Sequence, residues 1–202
     1  NSASIIQKKN SQFTILYVGQ MIREKGVFDI IETVSLLKEQ GYDVNAHLVG
    51  EGGDLKALKK RVTELDLNQS FTFFGFIEDK IKLSNIYHNA SVFLFPSYYP
   101  EGFPRVLYEA MICRVPIVTT CAGSIQDLMK DEENCLFIPA KVPDVIAKCV
   151  ARFYNHQTFR EVIINKASKT YEEHIKKVSS GLSTGTTHGQ QLAKALKKHW
   201  FH

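Results

Sequence analysis

Short runs of consecutive apolar residues recur along the chain, each closed by glycine, proline or a polar turn, with helical-period segments between them. Phe13–Val18, Val44–Val49, Phe71–Phe74, Val92–Phe95, Pro116–Thr119 and Cys135–Ile138 are the runs, and their length and continuity predict six buried strands. After the first run Val27, Phe28, Ile30, Ile31, Val34 and Leu37 return at helical spacing until Gly41 stops the pattern. Further helices are predicted over Asp54 to Leu65, Lys80 to His88, from near Pro104, Ser124 to Met129, Val142 to about Tyr154 and Thr158 to Ile175. Strands that read as unbroken apolar runs are covered on both faces, whereas a half-exposed antiparallel strand alternates. Strand and helix alternating with short loops therefore predict an α/β fold, a doubly wound, Rossmann-like parallel sheet of about six strands with helices on both faces.

In such a sheet ligands bind beyond the carboxyl ends of the strands. The loops predicted there begin at Gly19, Gly50, Gly75, Ser97 and Thr120, and they carry much of the chain's glycine and charge. The most informative is Tyr99-Pro100-Glu101-Gly102-Phe103-Pro104-Arg105-Val106-Leu107-Tyr108-Glu109-Ala110-Met111. Proline suits a first helical position, because its missing N–H has no intrahelical partner there. A helix beginning at Pro104 points free N–H groups and the positive end of its dipole above the sheet. Glu101 lies before that start and Glu109 in the second turn, so two carboxylates bracket an anion site. Carboxylates accept from hydroxyls and helix N–H groups donate to phosphate, which matches the order of groups in a nucleoside diphosphate sugar.

Composition narrows the choice of ligand. The 202 residues are 44% hydrophobic and 23% charged, enough for a sizeable core in one domain. A formal charge of +4 suits an anionic ligand or membrane surface but is short of a nucleic-acid footprint, and no basic run interleaves with aromatics. Cys113, Cys121, Cys135 and Cys149 show no metal-ligand spacing and sit in apolar segments, the pattern of reduced, buried thiols in a cytoplasmic protein. No apolar stretch approaches the roughly 20 residues needed to span a bilayer. His47 and His88 have no partner at triad or metal spacing, and Tyr98, Tyr99, Phe103 and Tyr108 fit a core as well as a stacking surface.

Several loops together carry a resemblance. Gly19-Gln20-Met21-Ile22-Arg23-Glu24-Lys25-Gly26, Gly50-Glu51-Gly52, Phe74-Gly75-Phe76, Pro96-Ser97 and Glu101-Gly102-Phe103-Pro104 leading to Glu109-Ala110 stand in order along the chain. This pattern, from about Phe13 to Tyr171, resembles the carboxyl-terminal, donor-binding domain of family 4 (group 1) glycosyltransferases of the GT-B fold. The resemblance implies an enzyme that transfers a sugar from a UDP-, GDP- or ADP-sugar with retention of configuration and without a bound metal. It implies Lys25 on the diphosphate beside Gly19, the backbone around Phe76 on the base, and Glu109 on the ribose. It implies Glu101, the catalytic candidate, on the donor sugar with the backbone of Gly102 and Phe103. Val106 and Leu107, at the helix opened by Pro104, would offer N–H groups to phosphate, and Ser97 is a further ligand candidate whose position equally suits turn chemistry. Lysine and helix dipole would then stabilise the departing diphosphate.

The departures are also specific. Gln20 stands where many members have arginine, leaving Arg23 and Arg105 as candidates to compensate. Gly123-Ser124 replaces a usual double glycine and Cys135 a usual glycine, while Asp127 keeps an acidic position. By this resemblance residues 1–12 are a linker from a missing amino-terminal domain that holds the acceptor site. Residues 13–175 are the sugar-nucleotide domain, inactive in isolation. Residues 176–202 are a Ser/Thr/Gly-rich flexible stretch and a terminal amphipathic helix, which fits a packed end, the missing domain or peripheral contact with the inner membrane face. The expected partners are a nucleotide-sugar donor and a glycan or glycolipid acceptor in polysaccharide or glycolipid synthesis. A non-catalytic sugar-nucleotide-binding module and a GT-B sugar-nucleotide epimerase are the alternatives.

Overall fold

The computed structural model describes residues 12–100 and 102–180. Residues 1–11 of the expected 1–12 linker, Glu101, and the part of the expected 176–202 tail from residue 181 onward lie outside these. Among the described residues six strands form one sheet: β1 (Phe13–Val18), β2 (Val44–Val49), β3 (Phe71–Gly75), β4 (Val92–Phe95), β5 (Ile117–Thr119) and β6 (Leu136–Phe137). Their order is β3-β2-β1-β4-β5-β6 and every pairing is parallel. β4 and β5 are buried at every position, as their unbroken apolar sequence predicts for strands covered on both faces.

The α-helices of the described residues connect and cover the strands: α1 (Val27–Glu39), α2 (Leu55–Glu64), α3 (Lys80–His88), α4 (Arg105–Ile112), α5 (Ile125–Leu128), α6 (Pro143–Asn155) and α7 (Gln157–Ser179). α1 packs with α2 and α6, and α4 packs with α7. Pro143 opens α6 at its first turn, and the Asp79 carboxylate caps α3 by accepting from the N–H groups of Ile81 and Lys82 at 2.9 and 3.2 Å. α7 runs four residues beyond the expected limit at Ile175, because Val178 is buried and extends the apolar stripe of Ile163, Ala167, Tyr171 and Ile175.

Two expectations need correction. Cys113 and Cys135 are buried and Cys149 is half-buried, but Cys121 is exposed, since β5 ends at Thr119 and leaves it in the following loop. Pro104 is the N-cap residue of α4, with φ −67° and ψ 129°, and Arg105 is the first helical residue.

The strand order reverses direction at β1, whose neighbours are β2 and β4. The loops leaving β1 and β4 consequently part to opposite sides and frame a crevice. They touch close to the sheet. Gly26, at φ 70°, lies against the Pro96 carbonyl, where a Cβ would collide with that oxygen.

Candidate functional site

The crevice at the carboxyl ends of β1 and β4 holds two adjoining chambers. One, of about 560 Å³, reaches from Gly19 past Gly50 to Phe76, Lys80 and Glu109. The other, of about 360 Å³, reaches Lys25 and Pro104. Val18, Gly19, Gln20, Arg105 and Val106 line both, so the two form one continuous cleft.

Backbone bonding between successive loops fixes the floor. Gly19 N–H donates to the Val49 carbonyl at 3.0 Å, Met21 N–H to Glu51 at 2.9 Å, and Gly50 N–H to Gly75 at 2.8 Å. Gly50 has φ 126°, and its Cβ position is taken by the Gly19 carbonyl, so only glycine fits there. The loop carrying Tyr98 is tied to the first loop by Tyr98 N–H donating to the Glu24 carbonyl at 3.1 Å.

Glu109 is 5% exposed, which makes its carboxylate a buried charge facing a cavity. Arg105 Nε lies 3.0 Å from one carboxylate oxygen, and the hydroxyl of Tyr87, wholly buried on α3, donates to the other at 3.1 Å. Burial pushes the Glu109 carboxyl above its ordinary range, opposed by the Arg105 charge and the Tyr87 bond. Burial pushes the Tyr87 hydroxyl well up, with the Glu109 charge adding to it, so that hydroxyl stays protonated and donates. The result is a fixed acceptor with lone pairs to spare, able to take hydrogen bonds from a diol.

At the other end, Lys25 lines the smaller chamber, its Nζ 5.1 Å from the Tyr99 ring centroid. Arg105 and Val106 of the first turn of α4 line it as well, at the end where a helix leaves N–H groups without intrahelical partners. Cation, helix start and buried carboxylate thus lie along one cleft. A family model described as "Glycosyl transferases group 1" matches residues 2–170. The chain belongs to the group 1 glycosyltransferases.

Among curated relatives, an uncharacterized glycosyltransferase of Methanocaldococcus jannaschii is 34% identical over 163 residues, which is 79% of this chain and 40% of that protein. A capsular polysaccharide biosynthesis glycosyltransferase of Staphylococcus aureus, CapM, is 26% identical over 164 residues, covering 81% of this chain and 42% of that one. The chain therefore spans about 40% of the length of these curated relatives. Among solved structures, Anabaena HepE in complex with UDP-glucose superposes with a TM-score of 0.76 at 23% identity, over 93% of this chain and 49% of that one. The carboxyl-terminal domain of a group 1 glycosyltransferase from Francisella tularensis, LpcC, superposes with a TM-score of 0.71 at 24% identity, over 86% of this chain and 87% of that one. These likenesses give the fold: a Rossmann-like domain of the GT-B type.

The group 1 motif residues are only partly gathered. Gly19, Lys25, Phe76, Pro104, Val106 and Glu109 all line the cleft. Phe76 is 72% exposed at its mouth. Leu107 does not match its expected role: its N–H already donates to the Pro104 carbonyl at 3.1 Å, which leaves Arg105 and Val106 as the helix-start amides. Ser97 is buried; its hydroxyl accepts from Tyr99 N–H at 3.4 Å and its carbonyl accepts from Thr120 Oγ1, so turn chemistry occupies it. Phe103 turns its ring onto Tyr108, 4.5 Å between centroids, and supports the core. Gly102 is exposed with open space around it. Of the two arginines expected to compensate for Gln20, Arg23 stacks on Phe28 at 4.2 Å and lines neither chamber, whereas Arg105 lines both.

Tyr87 was not among the sequence candidates. An aromatic on a short helix carries no signal of its own, since its partner Glu109 is 22 residues away. The Arg105–Glu109 pair, in contrast, is an i, i+4 spacing that the sequence does display.

Proposed function

We propose that this domain holds the nucleoside diphosphate sugar of a retaining glycosyltransferase, for transfer of the sugar to a glycan or glycolipid acceptor. The observation that carries the reading is the continuous cleft at the β1/β4 crevice, with the buried, doubly held Glu109 at one end and Lys25 with the start of α4 at the other. Glu109 accepts from the ribose hydroxyls, Phe76 borders the base, and Lys25 with the Arg105 and Val106 amides takes the diphosphate. Those same donors stabilise negative charge on the diphosphate as it leaves, which removes the need for a bound metal. Glu101, by the family resemblance, positions the donor sugar with Gly102 beside it. The name of CapM favours a role in polysaccharide synthesis, and by the family resemblance the domain works in the cytoplasm, at the inner face of the membrane. The acceptor and part of the catalytic machinery belong to the remainder of the longer relatives, so this chain alone transfers little sugar.

Calorimetric titration of the chain with UDP, GDP and ADP tests the reading. One of them is expected to bind, and failure of all three at millimolar concentration would overturn it. In a full-length enzyme, Glu101→Gln should abolish transfer; intact transfer would remove Glu101 from its role.

A further inference from the structure

The donor reading leaves a charge unmatched. Each phosphate of a bound nucleoside diphosphate sugar carries a negative charge, and Lys25 alone does not balance two of them. Among the described residues lining the cleft the cations are Lys25, Lys80 and Arg105: Lys25 borders the smaller chamber, Lys80 the larger, and Arg105 both. Gln20, which also borders both, is uncharged.

Arg105 is placed for more than holding Glu109. A guanidinium has five N–H donors in a planar fork, and the contact with Glu109 is made through Nε, leaving the terminal amino groups for a second anion. The side chain is 48% exposed, so it meets solvent in the cleft while its partner stays buried. One helical turn, about 5.4 Å, separates the start of α4 from Glu109, comparable to the span between a ribose diol and its 5′-phosphate.

We propose that Arg105 is a diphosphate-binding residue of this chain, bridging the ribose-binding carboxylate of Glu109 to the adjoining phosphate. The inference rests on the donor reading above and goes beyond it by giving one side chain two anions at once. Ribose and phosphate recognition are thereby joined. The guanidinium that fixes the acceptor for the diol also fixes the phosphate attached to that ribose.

The test is a double-mutant cycle in nucleotide affinity, using whichever of UDP, GDP or ADP the wild-type chain binds best. Arg105→Gln should weaken binding about tenfold or more, the scale of a charge-assisted bond. The decisive comparison is Arg105→Gln made on Glu109→Gln, a background with no buried carboxylate to strand. If Arg105 meets phosphate directly, roughly the same loss persists there. If Arg105 acts only by holding Glu109, the second substitution is silent in that background, and the proposal is overturned while the donor reading stands. Absence of binding by the wild-type chain to all three diphosphates would bring down the donor reading itself.

Discussion

Replacing Tyr87 by phenylalanine tests the part of the site on which the rest depends. The substitution keeps the ring, which packs 5.5 Å from Phe93, and removes only the hydroxyl. That hydroxyl donates to a carboxylate that is itself 5% exposed, so water does not replace the lost bond. A hydrogen bond to a charged group contributes about 1.5–3 kcal/mol. In a domain of this size each kcal/mol moves the melting temperature by about 2–4 °C, so the expected drop is roughly 3–12 °C. Urea denaturation at pH 7 reads the free energy directly. In the Glu109→Gln background the same bond becomes neutral, about half as strong, so Tyr87→Phe should cost about 1 kcal/mol less there. A cost identical in both backgrounds, or below about 0.5 kcal/mol at pH 7, would refute a charge-assisted bond between Tyr87 and Glu109.

Burial raises the Glu109 carboxyl above its unfolded value, so its contribution to stability is fully present below the ordinary glutamate range and is lost as pH rises through the raised folded value. Glu109→Gln should therefore gain stability relative to wild type as pH rises through that window and lose the advantage in acid, as denaturation at several pH values will show. Gly50→Ala forces a Cβ against the Gly19 carbonyl at φ 126° and should cost ~2–4 kcal/mol, with weaker nucleotide binding, measured by denaturation and calorimetry. Thiol labelling at pH 8 with mass-spectrometric readout should modify exposed Cys121 first. Cys113, pushed up to about 12 by burial, and Cys135, also raised by burial, should react only on unfolding.

The sheet was legible because each strand announces itself by the same rule, an apolar run closed by a turn residue, and all six occur where that rule puts them. The limits blur where side chains do not decide. β6 contracts to Leu136–Phe137, which pair with Val118 and Thr119, while Cys135 bridges Asp131 instead. Pro104 caps α4 and leaves Arg105 as its first residue, because its ψ of 129° is extended. Within the site, loop glycines and Glu109 could be read from their order along the chain. The bond from Leu107 N–H to Pro104, the turn that uses Ser97, and the ring of Phe103 on Tyr108 could not, because each depends on how a loop closes in space.

The pairing along the sheet is uneven. β1 matches β2 over six successive residues, whereas β5 and β6 share two. Amide protons should therefore exchange faster at the β6 edge than across β1 and β2. The cleft hangs from the slow side. Transient opening at β6 leaves Gly19, Gly50 and the start of α4 in register, so local breathing at that edge and retention of a bound nucleotide are compatible on the same timescale.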